Sequence, residues 1–230
     1  RGVADGMAQG IRRGGDSVIE KEAQVDLPCG DVAVFYGLID ETRQTFQNYL
    51  AAGKHVVFVD LGYWGRRDGG RFIGYHRIAF DHRHPTLAQL ARVKCSDDRF
   101  DRFGLDIKPM RRSGTRILLA GMSDKGAKSY GLQYQEWERE ALARIALTTN
   151  RTIAYRPKPS RSDPQKPING IEFAGEPLRL KDALADAWAV VTHHSNVGID
   201  GLLSGIPCFC AEGVIKAMAK TDLREIERPY

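Results

Sequence analysis

Two kinds of hydrophobic spacing alternate along the chain. Short, nearly continuous apolar runs occur at DVAVFYG (31–37), HVVFVDLG (55–62), RILLAG (116–121), TIAYRP (152–157), AVVTH (189–193) and PCFC (207–210). Their length and their Val, Ile and aromatic content predict buried strands. Between them, apolar positions recur every three or four residues, the spacing of one helix face. RGVADGMAQGIRRGGD sets Val3, Met7 and Ile11 four apart before the stop signal Gly14-Gly15. Asp40 is placed to cap ETRQTFQNYLAA, which turns Phe46 and Leu50 inward and stops at Gly53. QEWEREALARIAL (135–147), LKDALADAW (180–188) and a segment from Asn196 to Ser204 continue the series. SVIE (17–20) reads as a short strand, RFIGYHRIAF (71–80) as a further run, and a short helix follows Pro85.

Strands alternating with helices predict an α/β fold with parallel sheets. The stretch 94–114, KCSDDRFDRFGLDIKPMRRSG, is mostly charged and broken by Gly and Pro, so it reads as a crossing between halves. The expectation is two Rossmann-like lobes with mainly parallel sheets facing a cleft, residues 1–110 and 111–230. The chain opens inside a helix without a methionine and closes at REIERPY, so trimmed termini are expected.

In an open parallel sheet, ligands gather at the carboxyl ends of strands, where the next helices begin. AVVTH ends at His193, and a helix starts near Ser195 or Asn196. The backbone donors there favour an anion. Gly198 would admit a ligand close to the first turn, and Asp200 would reach ribose hydroxyls. Two other strand ends carry phosphate-compatible residues. IAYRPKPSR sets Arg156 and Lys158 on one side of a stiffened segment, and GMSDKGAKSYG offers Ser123, Lys125 and Gly126. A plain helix cap at Ser195, and a plain turn at Ser123, are the competing readings.

THHSNVGIDGLLSGIPCF resembles the motif in the carboxy-terminal domain of GT-B glycosyltransferases, nearest the capsule-polysaccharide and Kdo-transferase-like group. In that group a His-Ser turn precedes a Gly-hydrophobic-Glu-Ala-Leu helix and a Gly-x-Pro stop. The resemblance covers residues 116–210 and extends to phage glycosyltransferase-like proteins in the first half. It implies a nucleotide-sugar-binding second lobe, with His193, His194, Ser195, Asn196, Gly198, Asp200, Arg156, Lys158, Ser123 and Lys125 around the donor. Asp200 stands where the family has Glu, and Gly201 where it has Ala. The first lobe would then face the acceptor. Asp60, at a strand end, is the candidate general base. Tyr63, Trp64, Arg66, Arg67 and His76 make an aromatic and basic set that could stack on a sugar or an extruded base.

Composition narrows the picture further. The net charge of +5 and pI near 9.0 suit an anionic partner. No apolar run approaches the roughly 18 residues of a membrane span, and no signal peptide is visible. Cys29, Cys95, Cys208 and Cys210 form no paired motif, and Cys208 and Cys210 alternate along a buried strand, so a reduced, cytoplasmic setting is expected. His76, His82 and His84 match no zinc spacing, so neither a metal nor a resident cofactor is expected, and the nucleotide sugar is the donor substrate. The reading is therefore transfer of a sugar to a hydroxyl acceptor: a polysaccharide, or a hydroxymethylated base in phage DNA. The alternatives are a non-catalytic nucleotide- or nucleic-acid-binding protein with the same fold, and a nucleotide-sugar epimerase.

Overall fold

The computed structural model describes residues 2–19, 28–38, 40–63, 74–158 and 166–228. The chain divides into two compact units, Arg1–Val93 and Lys94–Tyr230.

In the first unit, helix α1 (Gly2–Arg13) is followed by β1 (Val32–Tyr36), α2 (Asp40–Ala51), β2 (His55–Leu61), β3 (His76–Phe80) and α3 (Leu87–Arg92). The sheet order is β1-β2-β3. β1 and β2 run parallel and β3 returns antiparallel, so this sheet is mixed. The return sets Asp60 opposite Arg77, and those two side chains form an ion pair across the ladder. Phe35, Phe46, Tyr49, Val56, Phe58 and Ala79 form the core. Leu50, expected inside, is exposed, and Tyr49 takes its place. The Tyr49 hydroxyl then accepts the Cys29 backbone N–H at 3.2 Å, a contact Leu50 could not make. Residues 17–19 of SVIE form no strand, and residue 20 lies outside the described residues.

The second unit carries α4 (Asp98–Asp101), β4 (Arg116–Ala120), α5 (Asp124–Lys128), α6 (Glu136–Ala146), β5 (Thr152–Arg156), β6 (Glu172–Phe173), α7 (Leu180–Ala185), β7 (Ala187–Thr192), α8 (Val197–Leu203) and β8 (Cys208–Cys210). Its five strands stand in the order β6-β5-β4-β7-β8, and every neighbouring pair is parallel. Ile117, Leu119, Ile145, Tyr155, Val191, Phe209 and Ile226 lie in its core. The α/β class expected from the alternating pattern is thus present. α7 stops short of the expected end at 188, and Ala187 and Trp188 join β7. Three non-local bonds set that boundary. The Asp186 carboxylate accepts from the Thr115 N–H and hydroxyl, and the Trp188 indole donates to the Ile226 carbonyl at 2.8 Å.

Residues 94–110, placed with the first half by composition, belong to the second unit. Lys108 N–H donates to the Leu203 carbonyl, Arg111 N–H to that of Gly205, and the Arg111 guanidinium to those of Leu184 and Ala187. Gly205 turns with φ +70, and a Cβ there would lie 2.1 Å from the Pro109 carbonyl oxygen. Only glycine fits that close approach at positive φ.

Candidate functional site

β4 comes first in the chain among the five strands. The chain then adds β5 and β6 on one side and β7 and β8 on the other. The carboxyl ends of β4 and β7 therefore flank a topological switch point, the usual ligand crevice of an open parallel sheet.

The β4 side is built from backbone donors and one hydroxyl. Gly121 N–H donates to the Arg156 carbonyl at 2.9 Å, the last rung of the β4–β5 pairing. Met122 N–H donates to Glu138 Oε1 at 2.6 Å. Ser123 Oγ accepts the Gly126 N–H at 3.1 Å and caps α5. The segment 121–131, read as a plain loop, thus contains a short helix. Lys125 is exposed on it.

The β7 side is more tightly bonded. Buried Thr192 accepts the Ser195 N–H on Oγ1 at 3.0 Å. Ser195 Oγ accepts the Val197 N–H at 3.3 Å, and Asn196 is the cap residue of α8, without a side-chain capping bond. The Ser195 hydroxyl therefore does cap the turn, while the residue stays partly exposed. His193 is buried, and its Nδ1 lies 2.9 Å from that of His194. One of these nitrogens must carry the proton and the other accept it. Burial holds the His193 imidazole below its ordinary range, partly offset by Glu212 and reinforced by Lys216. A neutral ring follows, suited to hydrogen bonding and packing.

The two rims meet. A Cβ on Gly126 would lie 3.6 Å from His194 Cε1. Tyr130 stands edge-on to His193 with ring centroids 4.5 Å apart, and 4.9 Å from His194. Trp137 lies perpendicular to His193 at 5.4 Å. Ser123, His193, His194, Ser195 and Asn196 are thus gathered at one end of the sheet, beside the rings of Tyr130 and Trp137.

Other expected members sit elsewhere or act differently. Gly198 was expected to let a ligand approach the first turn, and the structure turns its open side to the core. It is buried, and a Cβ there would meet Ile215 Cδ1 at 2.6 Å, so the missing side chain lets α8 pack closely. Arg156 was expected beside Lys158 on the phosphates. It is buried instead, and its Nη1 donates to the carbonyls of Ala174 and Leu178, both at 2.8 Å. Lys158 is exposed. Asp200 is half-buried, and burial pushes its carboxyl above the usual range.

In the first unit, Asp60 is held on both oxygens. Oδ2 pairs with Arg77 Nη2 at 2.6 Å, and Oδ1 accepts the Leu61 N–H at 2.7 Å. Arg77 also bonds the Arg83 carbonyl and His84 Nδ1, and its guanidinium lies 5.6 Å from the Tyr63 ring centroid. Burial, with Arg77 adding to it, pushes the His84 imidazole down to about 3, so a neutral ring accepts from Arg77. His76 contacts Tyr36. Trp64, Arg66 and Arg67 lie outside the described residues. Among the described residues, no group of three or more His, Cys, Asp or Glu is placed to hold a metal ion, and no helix is long and apolar enough to cross a membrane.

Sequence reasoning missed Arg77, Tyr130, Trp137 and Glu138. Arg77 becomes visible only once β3 is paired antiparallel to β2. Glu138 carried a signal: it shares the α6 face of Ala141 and Ile145, at the spacing of buried positions.

No family model matches the chain, and no curated protein matches it. Solved structures similar to it include Thermosulfurimonas dismutans KpsC, beta Kdo 2,4 transferase. That match has 12% identity and a TM-score of 0.49, covering 85% of this chain and 78% of that one. The beta Kdo 2,7 transferase of the same organism's KpsC matches at 17% identity and TM-score 0.34, over 53% of this chain and 46% of the other. The glycosyltransferase SnogD from Streptomyces nogalater matches at 12% identity and TM-score 0.26, over 81% and 46%. These structural neighbours are sugar-transfer enzymes by name.

Proposed function

We propose that the chain is a GT-B-type glycosyltransferase that takes a sugar from a nucleotide-sugar donor held at the β4–β7 switch point. One observation carries the reading: hydroxyl, amide and imidazole groups from two separate strand ends converge there, with the Tyr130 ring 4.5 Å from that of His193 and 4.9 Å from that of His194. The Ser123 and Ser195 hydroxyls, the Asn196 amide and the His194 ring supply hydrogen bonds of the kind that phosphate and ribose oxygens require. The Tyr130 ring offers a base a flat surface. In the reaction the acceptor hydroxyl attacks the anomeric carbon, its proton leaves to a base, and the bond to the donor phosphate breaks. Polar groups fixed beside that phosphate stabilise the leaving charge. Asp60 is the proposed base of the acceptor-binding first unit, with Arg77 fixing its orientation.

Calorimetric titration with uridine, cytidine, guanosine and adenosine diphosphates tests the donor site. Wild type should bind at least one of them, and Ser195→Ala should weaken that binding about ten- to a hundredfold, as expected when a hydrogen bond to a charged group is lost. Slow hydrolysis of the matching sugar nucleotide without acceptor separates a transferase from a binding module. If Ser195→Ala lowers stability by the roughly 1 kcal/mol of a lost cap while affinity is unchanged, Ser195 is a cap alone.

A further inference from the structure

Glu138 is the one carboxylate buried from solvent among the described residues, with no exposed surface. Burying a carboxyl group is costly unless its oxygens are bonded. Oε1 accepts the Met122 N–H at 2.6 Å, yet Oε2 is buried without a hydrogen bond. The surroundings are shaped around the group. A Cβ on Gly121 would lie 2.9 Å from Glu138 Oε1 and 2.8 Å from the Tyr155 hydroxyl, so glycine at the end of β4 leaves room for both.

The contact stands at a structural junction. Gly121 makes the last backbone rung of β4, and Ser123 begins the capped turn of α5. Met122 lies between them, itself buried, and its N–H has left the sheet ladder without entering the helix. Glu138 supplies the acceptor for that donor. The adjacent residue, Trp137, packs perpendicular to His193 on the other rim. One turn of α6 therefore touches both rims, through Met122 on the β4 side and His193 on the β7 side.

We infer that Glu138 is the positioning residue of the donor site, fixing the β4 rim through Met122 while neighbouring Trp137 fixes the β7 rim through His193. This rests on the switch point being the donor site. Burial pushes the Glu138 carboxyl above its ordinary range, which favours the neutral acid. Tyr155 from β5 is pushed up by burial and His193 is pushed down by burial, so these two groups add no charge near neutral pH. Glu138 acts through the backbone of Met122 and Ser123 and is not a catalytic residue.

The test uses Glu138→Gln and Glu138→Met in the full chain, titrated with the same four nucleoside diphosphates well below each variant's unfolding temperature. Gln keeps an acceptor for Met122 and should retain affinity within about twofold. Met fills the volume but leaves the Met122 N–H without a partner, and should weaken binding about tenfold. If wild type and Glu138→Met bind alike, the positioning role is overturned. If wild type binds none of the four, the donor-site reading itself falls. Should Glu138→Met not fold, amide hydrogen exchange of wild-type Met122 decides: protection equal to that of Leu118 and Leu119 supports the role, and fast exchange overturns it.

Discussion

Replacing Gly198 with alanine separates packing from ligand contact at the start of α8. The added Cβ would lie 2.6 Å from Ile215 Cδ1 and 3.4 Å from Thr192 Cγ2. Comfortable carbon contacts need about 3.5–4.0 Å, so Ile215 must move by about 1 Å. Ile215 and Thr192 are both buried, and overpacking of this kind costs about 1–3 kcal/mol. Alanine recovers about 1 kcal/mol of helix propensity over glycine, which leaves a net loss of about 1 kcal/mol. Removing the offending atom with Ile215→Val should relieve the clash. The double variant should then be more stable than the two single losses added together, by about 1 kcal/mol. Urea unfolding of the four proteins measures the coupling, and calorimetric titration below the transition measures nucleotide affinity, which should not change. Zero coupling, together with lost nucleotide binding at unchanged stability, would show that Gly198 faces the ligand and refute the packing argument.

The same logic applies to Arg156. Arg156→Ala leaves the buried Ala174 carbonyl and that of Leu178 without their guanidinium donor, so urea unfolding should show a loss of about 1–3 kcal/mol with little change in nucleotide affinity. Lost affinity at unchanged stability would return Arg156 to the donor phosphates. Stability should also depend on pH, in opposite senses for two sets of buried groups. The Glu138 and Asp200 carboxyls are raised by folding, so their contribution is full below the unfolded carboxyl range and is lost as pH rises through the folded values. His84 is lowered to about 3, so its contribution is present above roughly 6.5 and is lost as pH falls toward 3. Urea midpoints between about pH 3 and 9 should show Glu138→Gln reducing the loss on raising pH above the carboxyl range and His84→Asn the loss on lowering pH below about 6.5; unchanged profiles would exclude those groups.

The second unit was legible because its signals are local. β4, β5, β7 and α6 end within a residue or two of their predicted limits, except where a bond to a distant residue moved the boundary. Trp188 is such a case. Nothing within LKDALADAW distinguishes a last helical turn from a first strand residue, and the indole bond to Ile226 decides it. Arg156 failed for a related reason. Alternation along an extended segment predicts a shared solvent side only when one face of the strand is open. β5 lies between β4 and β6, and from Ile153 to Arg156 every residue is buried. The Arg156 side chain therefore finds carbonyls where the sequence suggested phosphates.

The first unit was legible in its elements and less so in its pairing. Asp60 and Arg77 are 17 residues apart, and either alone reads as a surface or turn residue. Only the reversal of direction between β2 and β3 brings them together, and no local pattern encodes it. Glu138 presents the opposite difficulty. EWEREALARIA shows it on the buried stripe, but a glutamate in a charge-rich helix invites a solvent reading. The distinction depends on Gly121, 17 positions earlier, whose missing side chain makes room for the carboxyl. Glycine at the end of a strand and glutamate on the buried face of the next long helix are each ambiguous alone. Together they describe one buried hydrogen bond, and that bond holds the backbone from which the Ser123 turn begins.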